Sequence, residues 1–154
     1  MIFSILIFYA ILIIVNLPAP LLGIEFDNKR SPLSFAPPGF VIPIIWFGLF
    51  TLLGIARECL IDAGAYNDQW LLFALAFLCA TYAYYTLGLA KITQISALWF
   101  GLAGNLVVIA FAGFVVIALL QVNRVAAYLT IPVIVWTAFA TAIVVGEMRL
   151  VKLI

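Results

Sequence analysis

The chain has 154 residues, of which 68% are hydrophobic and 8% charged, with a net charge of +1 and a mean hydropathy of +1.33. A folded domain of this size keeps a large part of its surface in water, so this much apolar side chain excludes a soluble globular protein and points to a bilayer. With no histidine, two cysteines twenty positions apart and no basic run, a zinc centre, a His-ligated haem, a Ser-His or Cys-His catalytic pair and nucleic-acid binding all lack their residues.

Apolar runs of about 20 residues, the length that crosses a bilayer, occur five times. The first covers 2–22; it lacks a basic start and is longer than the apolar region of a secretion signal, so it is read as a retained helix. The polar stretch GIEFDNKRSPLSFAPPG follows. The second run covers 40–56, the third 70–90, the fourth 95–120 and the fifth 126–145. The remaining connections are RECLIDAGAYND, a few residues around 91–94, and QVNR. Connections this short make successive helices antiparallel neighbours and leave no room for a second domain. The expected fold is an all-α integral membrane protein, a single bundle of five transmembrane helices over 1–154. Lys29, Arg30, Lys91, Arg149 and Lys152 gather on one side, Arg57 and Arg124 on the other. That bias predicts a cytoplasmic first loop and C-terminus, with the N-terminus outside.

Residues 36–46 read APPGFVIPIIW. Proline fixes its own φ and pushes the preceding residue to extended backbone, so Ala36 and Pro37 lie outside a helix and Pro38-Gly39 makes a stiff turn into the second span. Pro43 falls in the first turns of that span, where a missing N–H matters least. A connection both long and stiff reads as a lid over the bundle mouth. Trp46 and Trp136 each follow a proline by about a turn and read either as a pocket wall or as packing and lipid-facing side chains. Tyr82 and Tyr85 share one face of the third span while Tyr84 points elsewhere; an aromatic belt or an inward hydroxyl in need of a partner fits the pair.

Asn16 and Asn105 are the most polar residues deep in their spans and read as interhelical hydrogen bonds. Neither has an ionisable neighbour within a turn, so a proton relay has no support. Gly101, Gly104, Asn105, Ala110, Ala112 and Gly113 form a smooth surface for close approach, within the bundle or between two copies, and AFATA on the fifth span does the same inside the bundle. Cys59 and Cys79 read as small buried hydrophobes. Glu25, Asp27, Glu58, Asp62 and Asp68 read as solvated charges at the membrane ends. Arg30, Phe35 and Val41 fit an inverted sterol-type pattern that occurs too easily to carry weight.

The stretch APPGFVIPIIW resembles the signature of the translocator protein family, the tryptophan-rich sensory proteins (TspO/MBR), in which a Pro-Pro pair ends the first loop and a Trp lies on helix two. Upstream, EFDNKRSPLSFAPPG is similar to the family's Trp-Tyr-Asp-x-Leu-x-Lys-Pro followed by a Trp. Downstream, IPVIVWTAFATAIVVGEMRL is similar to its fifth helix, Pro-Tyr-x-x-Trp with an Ala/Thr-rich stretch and a late Arg. The chain departs from the pattern at Glu25 and Phe26 for Trp-Tyr, Phe35 for the loop Trp and Val133 for the Tyr. The Asn of helix five is absent, and helix three reads CATYAYYTLG where the family usually carries an Asn and a Trp. The resemblance is therefore to a divergent member.

What the resemblance implies is a binding protein, transporter or sensor for a hydrophobic planar ligand of the porphyrin (tetrapyrrole) or sterol class. Pro37, Pro38, Trp46, Pro132 and Trp136 match the family's pocket, and Phe35, Phe40, Tyr82 and Tyr85 join them as candidate ligand contacts. The implied partners are that ligand and the lipid bilayer, and the small-residue face of the fourth span adds a second copy in a homodimer as one of its two readings; no cofactor, metal or catalytic residue is implied. Two alternatives stay open: light- or oxygen-dependent porphyrin breakdown with Trp46 and Trp136 as redox-active side chains, and a membrane assembly protein without a ligand.

Overall fold

The computed structural model describes residues 1–24 and 31–154, and every regular element among them is helical. In chain order these are α1 (Ile2–Asn16), a 3-10 turn (Pro20–Leu22), α2 (Val41–Asp62), α3 (Gln69–Ala80), a π-helical turn (Tyr84–Gly88), α4 (Leu89–Thr93), α5 (Ala97–Leu120) and α6 (Arg124–Leu150). At 1.5 Å per residue α2, α5 and α6 are about 33, 36 and 40 Å long, enough for about 30 Å of hydrocarbon. α1 reaches spanning length together with the turn that ends at Leu22. α3 and Tyr84–Thr93 reach it only as a pair bent by 47°. Among the described residues four helices are thus long and apolar enough to cross a membrane, and the crossings number five if the bent pair is one span.

Three boundaries differ from the hydropathy reading. The second span continues beyond 56 through Arg57 and Glu58 to Asp62, because both charges find partners: Arg57 donates to Ser4 Oγ at 2.7 Å and to Gln69 Oε1 at 2.9 Å, and Glu58 accepts from Ser4. The fifth span continues beyond 145 to Leu150; Glu147 and Arg149 end the apolar run without ending the helix. The third, expected as one helix over 70–90, is broken. No proline marks the break. The Thr81 hydroxyl donates to the carbonyls of Phe77 and Leu78, and that of Thr86 to the carbonyl of Tyr82. Such back-bonding, together with a π turn, is a recognised cause of helix bending.

The helix ends have local causes. Gly23 (φ 64°) and Gly64 (φ 72°) adopt the left-handed conformation and close Schellman motifs, Ile24 N–H donating to Ala19 O and Ala65 N–H to Leu60 O, each at 2.9 Å. Lys91 Nζ donates to the Leu22 carbonyl at 3.0 Å, tying the end of the first span to α4. Ser96 caps α5, and Asn123 caps α6 by accepting from Ala126 N–H.

Helix contacts run α1 to α2, α2 to α6, α6 to α5, α5 to α3 and α3 to α1, a closed ring with α2 also touching α3. One half of the ring is solid. There the start of α1, the end of α2, the start of α3, the end of α5 and the start of α6 bring together Phe8, Leu53, Leu60, Leu72, Leu75, Val115, Leu119, Ala127 and Val133 in one core. Close approach in this half depends on Gly54: a Cβ there would lie 2.7 Å from Ile5 Cα and 3.0 Å from Ile5 N, backbone atoms that cannot step aside.

Gly54→Ala is therefore expected to destabilise the protein by about 1 to 3 kcal/mol through overpacking. Gly48→Ala on the same helix, with nothing within 4 Å, should be neutral or slightly stabilising. Thermal unfolding in detergent checks both, and equal melting temperatures for the two variants would contradict the α1–α2 contact.

Candidate functional site

The other half of the ring is hollow. The end of α1, the start of α2, the bend after α3, the start of α5 and the end of α6 surround a cavity of about 880 Å³. Its wall takes Leu12 and Asn16 from α1, Trp46 and Phe47 from α2, Cys79 and Ala80 from α3, and Tyr82, Ala83 and Thr86 from the bend. α5 contributes Ala97, Gly101, Asn105 and Val108, and α6 contributes Trp136, Thr137, Ala140, Val144 and Glu147. Ala36, Pro37 and Gly39 of the first loop border it as well.

The hollow follows from side-chain size at helical spacing. Ala97, Gly101, Asn105 and Val108 fall at i, i+4, i+8 and i+11, one face of α5, and the first two carry almost no side chain. Farther along the same helix, Val115 and Leu119 fill the solid half. Gly101 and Gly104 also receive the tyrosines of the bend: a Cβ on Gly101 would stand 3.2 Å from the Tyr82 hydroxyl, and one on Gly104 would overlap the Tyr85 ring. The Tyr82 and Tyr85 rings meet edge to face with centroids 5.4 Å apart. Tyr84 points away and donates to the Val15 carbonyl at 2.6 Å.

The polar groups on the wall divide into satisfied and unsatisfied. Asn16 Nδ2 donates to Leu12 O at 2.9 Å and across to Ala80 O at 3.1 Å, the interhelical bond expected of it. Thr86 and Thr137 spend their hydroxyl protons on carbonyls one turn earlier in their own segments. Asn105 is 2% exposed, and its Nδ2 has no hydrogen-bond partner among the described residues. The interhelical bond expected of Asn105 is not made by that group.

Of the four tryptophans, Trp46 and Trp136 border the cavity. Trp136 also borders a lipid-facing groove of about 510 Å³ with Ile45, Leu49, Ile131, Pro132, Val135 and Phe139, so its indole stands between the cavity and the bilayer. Trp70 and Trp99, 68% and 43% exposed, sit at the starts of α3 and α5, at opposite ends of the bundle, where interfacial tryptophans belong.

Among the candidate contacts read from the sequence, Trp46, Trp136, Pro37 and Tyr82 border the cavity, while Phe35, Pro38, Phe40, Tyr85 and Pro132 do not. Phe35 packs on Phe139 with centroids 6.4 Å apart, Phe40 is largely exposed, and Pro132 faces the outer groove. Glu25, Phe26, Asp27, Lys29 and Arg30 lie outside the described residues. On either side of that stretch two residues are seated: Leu33 rests where Gly146 has no side chain, and Ile24 is buried with Ala19 and Ala83. Sequence reasoning passed over Asn16, Asn105, Thr137, Ala140 and Glu147 as wall residues. Their signal was the four-residue spacing of Ala97, Gly101 and Asn105, which reads equally well as a helix-packing stripe.

Chemically the arrangement is a mainly apolar chamber bordered by two tryptophans, a few hydroxyls and two asparagines. Among the described residues no group of three or more His, Cys, Asp or Glu side chains lies close enough to hold a metal ion. The model of the TspO/MBR family matches residues 4–149 of the chain. No curated protein sequence matches it.

Proposed function

The chain belongs to the TspO/MBR family, and from that premise we propose that it binds a hydrophobic planar molecule of the porphyrin or sterol class inside the helix ring, as a binding protein, transporter or sensor. Family membership and the apolar helices give the coarse role, an integral multi-pass membrane protein of ligand binding, transport or sensing. The observation that carries the finer reading is the chamber of about 880 Å³ with Trp46 and Trp136 on its wall. Its volume falls in the range of small-molecule sites, which are concave, mostly apolar and lined by aromatic side chains. Indoles on α2 and α6 offer large rigid faces to a flat ring. Trp46→Ala and Trp136→Ala should each weaken protoporphyrin binding by about tenfold or more, read from quenching of the remaining tryptophans; affinities within about twofold of wild type, roughly 0.4 kcal/mol, would put the ligand elsewhere.

In this reading the chain is one domain over 1–154 with five crossings, the bent pair being the third, and the first loop is its lid. The support for a lid is local: Pro37 and Gly39 border the cavity, Leu33 and Phe35 rest on α6, and Val41 N–H donates to Pro38 O at 2.9 Å. Two consecutive prolines limit the loop's backbone before a ligand arrives. Replacing both with alanine should weaken affinity about threefold to thirtyfold through lost preorganisation and leave the melting temperature of the ligand-free protein unchanged. A lower melting temperature with unchanged affinity would reduce the prolines to loop terminators and favour an assembly role without a ligand.

The basic residues sort by end in a way that supports the orientation. Lys91, Arg149 and Lys152 lie at the hollow end, Arg57 and Arg124 at the solid end. The positive-inside bias then opens the cavity toward the cytoplasm. A reporter fused after Ile154 should read as cytoplasmic; an extracytoplasmic signal would turn the molecule over.

A further inference from the structure

We propose that Glu147 is a cation subsite of the cavity: its carboxylate, with the Tyr82 hydroxyl about one turn deeper, accepts hydrogen bonds from a protonated amine that a flat apolar ligand carries on a flexible arm. The inference rests on the reading of the cavity as a ligand site and names the chemical class of the ligand's polar end.

Helix register places Glu147 on the cavity side of α6. Trp136, Ala140, Val144 and Glu147 all border the cavity, and at about 100° per residue they fall within about 80° of one another around the helix. Val144 and the Tyr82 hydroxyl meet over Gly101: the point that a Cβ there would occupy is 3.2 Å from Tyr82 Oη and 3.7 Å from Val144 Cγ2. Val144 precedes Glu147 by three residues, so the hydroxyl lies about one turn below the carboxylate. Tyr82 and Glu147 both border the cavity and are both half-buried, neither enclosed by packing nor fully in solvent.

The charge on the wall has one sign. Among the described residues Glu147 is the charged side chain that borders the cavity, and no Lys or Arg does. The basic residues at this end are engaged or turned elsewhere: Lys91 donates to the Leu22 carbonyl, and Arg149, two positions from Glu147 and so on another face, is exposed. Among the described residues the acid held in an ion pair is Glu58, with the Met1 amine at the opposite end of the bundle; Glu147 makes none. A carboxylate facing a mainly apolar chamber loses part of its hydration and gains most from a partner that brings both N–H donors and positive charge. A protonated amine brings both, an alcohol brings a donor without the charge, and a second carboxylate meets repulsion. The spacing sets the ligand's shape. Glu147 stands eleven residues beyond Trp136, about 16 Å along the helix, so an amine held there leaves the flat body beside the indoles only if a tether separates the two.

Three pyrenes on the same tether isolate the polar end: 1-pyrenebutylamine, 1-pyrenebutanol and 1-pyrenebutyric acid, charged positive, neutral and negative. Each is titrated into the purified full-length protein in phosphatidylcholine nanodiscs, with energy transfer from tryptophan to pyrene as the readout and empty nanodiscs to subtract partitioning. Wild type should prefer the amine over the alcohol by about tenfold, the range of one charge-assisted hydrogen bond, and bind the acid most weakly. Glu147→Gln, which keeps the size and removes the charge, should bring the amine down to the alcohol while the alcohol stays within about twofold of wild type. Glu147→Ala should do the same, which covers a defect peculiar to glutamine, and Tyr82→Phe should weaken the amine by about threefold; an unchanged amine affinity there strikes Tyr82 from the subsite. Asp62→Asn, at the other end of the bundle, should keep the full preference, and a loss equal to that of Glu147→Gln would reduce the effect to diffuse surface attraction and overturn the subsite. A wild type without preference, the result expected of a Glu147 neutralised within its own chain, overturns the assignment and leaves the binding reading standing, as does a glutamine variant that keeps the preference or loses amine and alcohol equally. A wild type that binds none of the pyrenes and no protoporphyrin overturns the binding reading, and the subsite falls with it.

Discussion

Inside a bilayer an unpaired backbone N–H or C=O finds no water, at a cost of several kcal/mol per group, so irregular backbone survives only where other parts of the protein serve it. Four long-range contacts from side chain to backbone follow that constraint. Asn16 reaches from α1 to the carbonyl of Ala80, the last residue before the bend. Tyr84, within the bend, returns to the carbonyl of Val15 near the end of α1. Lys91 reaches the Leu22 carbonyl at the end of the 3-10 turn, and Asn123 reaches the Cys59 carbonyl near the end of α2. Each of these polar side chains bonds a carbonyl near an interruption or end of a helix.

The same contacts position the hollow half of the bundle. Asn16 and Tyr84 tie the end of α1 to the end of α3 and to the bend that follows it. In the solid half the core is filled by leucines, phenylalanines and valines, with the Phe8 and Phe73 rings stacked at 5.2 Å. In the hollow half alanine, glycine, threonine and asparagine stand on the wall among the larger side chains, and the bend supplies Tyr82. The solid half stabilises the ring by dense packing, and that frees the other half to leave its interior unfilled, since protein interiors otherwise close voids of this size.

The two deep asparagines show how environment assigns a role. Both sit on apolar helices, and both border the cavity. Asn16 stands opposite the end of α3, where a carbonyl is available, and it becomes a structural tie. Asn105 is enclosed on α5, and its Nδ2 finds no partner among the described residues. The tryptophans divide in the same manner, two on the cavity wall and two in the outer belts, although all four are the same residue type in similarly apolar surroundings.

Composition and run length were enough to establish an apolar, multi-span helical chain, because spanning a bilayer needs about 20 apolar residues in a row and such runs are visible one residue at a time. The proline pair at residues 37 and 38 likewise announced a stiff entry into α2, since proline acts on its own backbone. The bend in the third span was not legible: Thr81, Thr86 and a π turn replace the proline that would have marked it, and threonine is equally at home in a straight helix. Arg57 and Glu58 ended the apparent second span because their partners Ser4 and Gln69 lie on other helices. Whether the stripe Ala97, Gly101, Asn105 was a packing surface or a cavity wall depended on what faces it, and Pro132 and Tyr85 left the cavity wall for the same reason. A residue's spacing fixes which face of its helix it occupies, but what that face meets is settled only when the other helices close the ring around it.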